Sequence, residues 1–263
     1  MPTDPTYGVI GVGALAAAIV TGLCEGVEDA PQVLLSPRGR AHAEALAARF
    51  PTVRVAADNQ AVVDGAGTVL VAVLPQQAEA VLGDLTFGTH HLVVSLVAGV
   101  PLADLARWAT PAGEVVRANP LPSAAAREGM TTVHPPVPAV TDLFARVGRV
   151  LPVAEETAYD ALSAASATVA AHYAYLDAIA GWLATQGVDG PEARGYVAAV
   201  FSGVADTLRT GDGGPPDLAG LTAEVATPGG LNEQLTADLR AAGVYDAVDR
   251  ALSAVLARTV APN

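Results

Sequence analysis

From Tyr7 to Val153, short β-branched and apolar runs alternate with alanine-rich stretches of helical character. The runs at 8–11, 32–35, 53–56, 68–73, 92–96, 114–118, 130–134 and 149–153 are predicted strands. Helical stretches follow the first several, which predicts parallel crossover units and a sheet covered on both faces, the α/β class. Pro75, Pro101 and Pro138 fall where helices begin, a position that tolerates the missing N–H. After Val153 the strand pattern stops. Residues 155–187 read as one long helix ending near Gly187, and further helices are predicted at 191–209, 230–242 and 245–260, with a Gly-Pro loop at 211–216 between them. The expected organisation is a sheet domain at 1–153 and an all-α domain at 154–263. A small alanine-rich helical domain fed by a long helix is expected to dimerise to complete its core.

The first strand run ends in Gly11-x-Gly13-x-x-Ala16. Gly11 permits a tight turn, Gly13 lets the backbone approach a pyrophosphate, and Ala16 lets the helix pack on the strand. The helix N-terminus then faces the anion. The pattern predicts a Rossmann-type, mostly parallel sheet domain in which Gly11, Gly13, Ala14 and Leu15 bind a dinucleotide. Choice of cofactor is read after the second strand, where an acidic residue would hold the ribose 2′-hydroxyl of NAD. Here the chain reads Leu35-Ser36-Pro37-Arg38-Gly39-Arg40, with no carboxylate before Glu44. Ser36 can donate to a 2′-phosphate, and Arg38 or Arg40 can pair with it. NADP (NADPH) is the expected cofactor.

The formal net charge is −13, which argues against nucleic acid or an anionic membrane as partner. All 14 basic residues are arginine. The absence of lysine excludes a Schiff-base or pyridoxal-phosphate lysine, a P-loop, and the catalytic lysine of two-domain hydroxyacid dehydrogenases. Cys24 is the only cysteine, which excludes an intrachain disulfide and reads as core filler. The Met-Pro-Thr-Asp start has no secretory features, and the alanine-rich helix near residue 170 is interrupted by His172 and Asp177. A cytoplasmic protein is expected. His90-His91 lacks a third ligand at useful spacing, the acidic positions at 212–217 are too irregular for a calcium loop, and no metal site is expected. No Gly-x-Ser-x-Gly elbow supports hydrolase chemistry.

Several motifs together resemble the pyrroline-5-carboxylate reductase family, nearly end to end. They are Tyr7 to Ile19, Ala72-Val73-Leu74-Pro75-Gln76, Val93 to Val100, Val116-Arg117-Ala118 with Pro120, Glu128-Gly129-Met130-Thr131, Glu155-Glu156 with Asp160-Ala161, and Thr227-Pro228-Gly229-Gly230 with Asn232 and Ala242-Gly243-Val244. The resemblance implies that Val73, Leu74, Pro75 and Ala98 line the cofactor. It also implies that the Thr227–Gly230 turn opens a helix of the dimerisation domain and helps hold a substrate carboxylate. Departures stand beside it. Leucine replaces the family's lysine at Leu74. Its Met-Pro-Asn-Thr-Pro becomes Asn119-Pro120-Leu121-Pro122-Ser123, and its Ser-Gly-Ser-Gly-Pro-Ala-Tyr becomes Ser166 to His172, a change expected to leave continuous helix. Asn232 stands where the family's threonine faces the imine nitrogen.

Reduction of a C=N bond needs position more than reactive side chains. The N–H groups of Gly229 and Gly230 suit a carboxylate, and Thr227 and Asn232 could add hydrogen bonds. Thr168 and His172 share one helix face, and His172 could supply the proton or could simply be packed core. Asn119 could meet the nicotinamide amide or cap the turn before Pro120. The leading expectation is an NADPH-dependent reductase of a cyclic imine, one carrying a carboxylate, that works as a homodimer through the helical domain. Three alternatives stay open: conventional pyrroline-5-carboxylate reduction, a non-catalytic NADP-binding sensor or assembly protein, and a C=O reductase.

Overall fold

The computed structural model describes residues 6–209 and 215–259; the chain start and the 211–214 part of the Gly-Pro loop, both read above, lie outside them. Eight strands form one sheet: β1 (Thr6–Ile10), β2 (Gln32–Leu35), β3 (Val53–Val55), β4 (Thr68–Val71), β5 (Leu92–Ser95), β6 (Glu114–Asn119), β7 (Gly129–His134) and β8 (Gly148–Pro152). Their order is β3-β2-β1-β4-β5-β6-β7-β8, and every neighbouring pair is parallel except β6 with β7.

The central strands divide their side chains between two cores, the period-2 consequence of a pleated sheet covered on both faces. Val9, Leu35, Leu70 and Val94 pack with Ile19 and Leu23 of α1 (Ala14–Cys24), Leu46 of α2 (Arg40–Arg49) and Phe144 of α6 (Pro138–Ala145). Ile10, Val69, Val71 and Val93 pack on the other face with Val62 of α3 (Asn59–Asp64), Leu82 of α4 (Pro75–Gly83) and Leu105 of α5 (Leu102–Trp108). Pro75 and Pro138 open their helices, and Pro101 caps the next one from outside. Cys24 is buried at the end of α1, and burial pushes its thiol up. His91 closes the base of β5: its Nδ1 accepts from the Gly88 N–H at 2.7 Å, so its Nε2 carries the proton toward the Val63 carbonyl at 3.1 Å.

A single buried cation ties the sheet to α7 (Glu156–Ser166). Arg117 of β6 is 2% exposed; its guanidinium donates to Glu156 Oε1 at 2.7 Å and Asp160 Oδ1 at 2.8 Å, and lies 4.4 Å from the centre of the Tyr159 ring. Glu156 Oε1 also accepts from the Leu102 N–H at 2.7 Å, where α5 starts.

The chain divides into two compact units: one runs to Ser163 and includes the segment from Leu256 onward, and the other is Ala164–Val255. The second is built from α8 (Thr168–Thr185), α9 (Gly190–Arg209), α10 (Leu218–Val225), α11 (Leu231–Ala241) and most of α12 (Val244–Thr259). Its core is small: Ala180, Ala193 and Val197 with Leu176, Ile179, Leu183 and Phe201 around them. Large apolar side chains are left outside, Trp182 at 61% and Leu231 at 85% exposure among them.

Two expectations are corrected. The single helix over 155–187 is two helices, because Ala167 pinches the backbone: its N–H bonds Ala164 O in a three-residue turn, and Thr168 Oγ1 donates to Ala165 O at 2.7 Å. Ala167 keeps right-handed backbone (φ −64°, ψ −16°), so one helix follows the other without an intervening loop. The helix α10 was not expected; Asp217 caps it by accepting from the Gly220 N–H at 3.0 Å.

Burial pushes the Tyr159 phenol up to about 12, against the pull of Arg117. A phenol that ionises near 10 when unfolded and about 12 when folded stabilises the native state below pH ~10, and that contribution is lost as pH rises through 12. We expect about 2–3 kcal/mol of stability to disappear across this window, and Tyr159→Phe to remove that part of the slope. Thermal melts of both proteins from about pH 9 to about pH 12 check it; identical slopes would refute the assignment.

Candidate active site

The parallel register brings the carboxyl ends of four strands into one line. Ile10 pairs with Val71, Val71 with Ser95, and Ser95 with Arg117. Strand order reverses between β1 and β4, the point where open α/β sheets leave a crevice. Gly11 turns the chain there in left-handed backbone (φ +88°), and its N–H donates to Ser36 Oγ at 3.1 Å. A Cβ on Gly11 would lie 2.5 Å from the Ala72 carbonyl oxygen, and one on Gly39 2.1 Å from that of Val12. Both glycines are required by backbone crowding.

Gly13 differs. Its backbone is extended, it caps α1 without any side-chain hydrogen bond, and a Cβ there would meet nothing within 4 Å. The uncapped N–H groups of α1 therefore open onto free space, the arrangement that receives a phosphate. The crevice they border has a volume of about 290 Å³ and is lined by Gly11, Val12, Gly13, Arg38, Gly39, Asn59, Ala72, Val73, Leu74 and Gln77, among others. A second crevice of about 440 Å³ shares Arg38, Asn59 and Val81 with it and continues along Pro37, Asp58, Gln60 and Asp84. Open length, uncapped amides and a cation at the junction fit a dinucleotide.

Of the residues expected around a cofactor, Gly11, Gly13, Arg38, Val73 and Leu74 line the first crevice, while Ala14 and Leu15 form the first turn of α1. Pro75 opens α4 behind Leu74. Ala98, just after β5, and Asn119, at the end of β6, lie further along the same sheet edge. Two expectations are corrected. Ser36 is fully buried and its hydroxyl serves the Gly11 turn, so it does not face a 2′-phosphate. Arg40 is paired with Glu44 at 2.7 Å and borders a separate hollow with Pro37, Ala43 and Val55. Sequence reasoning does not find Asn59, Gln77 and Gly39; Asn59 opens α3, Gln77 lies in the first turn of α4, and only strand order reveals that these helix starts converge.

The residues expected around a substrate lie in the second unit. Thr168 and His172 are one turn apart on α8, both exposed, and the His172 ring packs edge-on against Phe201 at 5.8 Å. Thr227 to Asn232 form the turn into α11, with Gly229 in left-handed backbone (φ +74°). The N–H groups of Gly229 and Gly230, expected to be open to a carboxylate, are both engaged. Gly229 donates to Glu233 Oε2 at 2.6 Å, and Gly230 donates to Thr227 O at 2.8 Å. Glu233 reaches back over the helix start as a capping-box carboxylate does. The Asn232 amide donates to Val225 O at 3.0 Å, closing the end of α10. Among the described residues no group of three or more His, Cys, Asp or Glu gathers to hold a metal, and no helix is long and apolar enough to cross a membrane.

These features define an NAD(P)-binding oxidoreductase fold, and comparison with known proteins agrees. Residues 6–99 match the family model described as NADP oxidoreductase coenzyme F420-dependent, and residues 156–261 match pyrroline-5-carboxylate reductase dimerisation. The pyrroline-5-carboxylate reductase of Corynebacterium melassecola is 28% identical over 97% of both chains. The solved pyrroline-5-carboxylate reductase of Coxiella burnetii superposes with a TM-score of 0.82 at 23% identity, covering 98% of this chain and 97% of that one. The Plasmodium falciparum pyrroline carboxylate reductase, solved with NADP bound, gives 0.79 at 17% identity, covering 98% and 97%. The chain is thus similar to pyrroline-5-carboxylate reductases over nearly its full length while diverging from them; it is a pyrroline-5-carboxylate reductase-like NAD(P)-dependent oxidoreductase of the kind that acts on C=N bonds, and it carries a region that matches the dimerisation model.

The two fingerprint glycines should respond differently to the same substitution. Gly11→Ala is expected to destabilise the fold by about 2–4 kcal/mol, because positive φ and the Ala72 carbonyl both oppose it. Gly13→Ala should leave the melting temperature within ~2 °C and weaken NAD(P)H binding by ~10-fold or more. Paired melts and cofactor titrations distinguish them, and unaltered affinity in Gly13→Ala would remove the phosphate from this helix start.

Proposed function

We propose that the protein is an NADPH-dependent reductase of a cyclic imine, acting as a homodimer through its helical region. The observation that carries the cofactor choice is Arg38. Arg38 lines both crevices, and it has no ion-pair partner among the described residues. A planar fork of donors at that point suits a ribose 2′-phosphate. Asp58, which lines the second crevice together with Arg38, accepts from the Ala61 N–H at 2.8 Å as the cap of α3. The NADP-bound Plasmodium relative supports the same choice.

NADPH, when bound, supplies hydride to the imine carbon, and the nitrogen takes a proton, so C=N becomes CH–NH. The chain's part is to hold the ring along the sheet edge toward Ala98 and Asn119 and to orient the imine against it. His172 is the candidate proton source, since its ring is fixed by Phe201 while the residue stays exposed. Thr168, Thr227 and Asn232 are the candidate polar contacts to substrate. Glu233 bears on substrate class: a substrate carboxylate can reach the Gly229 N–H only by displacing the one already there.

Turnover of NADPH with 1-pyrroline or pyrroline-5-carboxylate tests the reading, and no consumption across a panel of cyclic imines would end it. Arg38→Ala should raise the Kd for NADPH by ~10–100-fold while leaving NADH within ~2-fold, as loss of a charge-assisted hydrogen bond requires. Arg40→Ala should alter neither; equal losses for both cofactors in Arg38→Ala would move the 2′-phosphate elsewhere. Glu233→Ala is expected to raise kcat/KM for pyrroline-5-carboxylate by about 5–10-fold, with 1-pyrroline unchanged. A fall for both substrates would show Glu233 to be a helix cap only.

A further inference from the structure

Arg127 is the one non-glycine residue in left-handed backbone among the described residues, at φ +59°. An L-residue reaches this conformation only when its surroundings hold it there, and such outliers concentrate where geometry serves function. Arg127 ends a 3₁₀ turn, Pro122–Ala126, that begins three residues after Asn119. Its Nε donates to the Gly22 carbonyl at 2.7 Å and its Nη2 donates to the Glu25 carbonyl. Those two carbonyls close the C-terminal end of α1, where helix acceptors otherwise lack partners. The opposite flank of the turn is clamped as well: a Cβ on Gly22 would lie 2.2 Å from the Ala124 carbonyl oxygen, so only glycine lets the turn sit this close to α1.

We infer that Arg127 is a positioning residue for hydride transfer: it locks the Asn119–Ala126 segment to α1, so the helix that receives the phosphates and the strand end that meets the nicotinamide move as one body. This rests on the dinucleotide reading above. With the pyrophosphate at Gly13, the second crevice takes the adenosine end on the β2 side. The nicotinamide then extends along the sheet edge past β4 and β5 to Asn119, the end of β6. A glycine at 127 would satisfy the backbone without strain. What arginine adds is the clamp.

The test is Arg127→Gly, which removes clamp and strain together, beside Gly22→Ala, which wedges the turn off α1 from the other side. For Arg127→Gly the expected result is an NADPH Kd within ~2-fold of wild type, kcat for 1-pyrroline lowered by ~10-fold or more, and faster amide exchange across 119–127 in the NADPH complex. Gly22→Ala should show the same kcat loss and the same exchange pattern. A purely structural role would instead lower melting temperature and leave kcat of the folded protein intact, and that result overturns the inference. If the wild type reduces no imine, the functional reading falls separately. Exchange across 119–127 and the emission maximum of bound NADPH then decide: both unchanged in Arg127→Gly overturn the positioning role, and both shifted sustain it.

Discussion

The approach of β1 to β4 at Gly11 is the contact on which the rest of the molecule depends. The backbone passes so near the Ala72 carbonyl that a methyl group would lie 2.5 Å from its oxygen, and the same crowding recurs at Gly39, where a methyl group would lie 2.1 Å from the Val12 carbonyl oxygen. Two turns without side chains let three strand ends converge, and the buried Ser36 hydroxyl ties the first turn to the second strand at 3.1 Å. Crowding below leaves openness above. The crevice exists because the chain packs tightly at Gly11 and Gly39 and not at Gly13, where nothing lies within 4 Å.

Farther along the sheet, a charge performs the corresponding task. Arg117 is buried beneath α7 with two carboxylates and a tyrosine ring, and its Nε has no partner among the described residues. Taking a guanidinium out of water is costly, so such a group persists only with close counter-charges. Here it joins three elements at one point, since Glu156 receives both the guanidinium and the first N–H of α5. Arg117 stands two residues before Asn119 on the same face of β6, so the network fixes that strand's end. Strong, directional contacts thus lie at both extremes of the sheet edge, and apolar packing fills the interval.

The strands were legible because a doubly covered sheet writes its burial as short continuous apolar runs; Thr68 to Val71 and Leu92 to Ser95 could hardly be read otherwise. Gly11, Gly13 and Arg38 were legible because turn sterics and phosphate chemistry restrict residue type. Ser36 was misread because its side chain turns inward just past a strand, where alternation no longer predicts facing. Glu233 was legible in principle, since a glutamate three residues after a helix cap is a capping signal, and its carboxylate takes up one of the glycine amides. Asn59 and Gln77 lie far apart in sequence, and only strand order unites them. Arg127 left no local trace, because its partners are 105 and 102 residues away.

A polyanionic cofactor must settle on a chain whose formal charge is −13, and its second crevice carries Asp58 and Asp84. At physiological ionic strength, charges farther than a Debye length of about 8 Å are largely screened, so the global charge weighs less than the groups in contact. Those groups are the uncapped amides of α1 and Arg38, which lines both crevices. Arg40, spent on Glu44, contributes little, and Asp58 is turned toward its own helix. Arg38 and the amides of α1 are thus the donors that the first crevice sets against the overall negative charge.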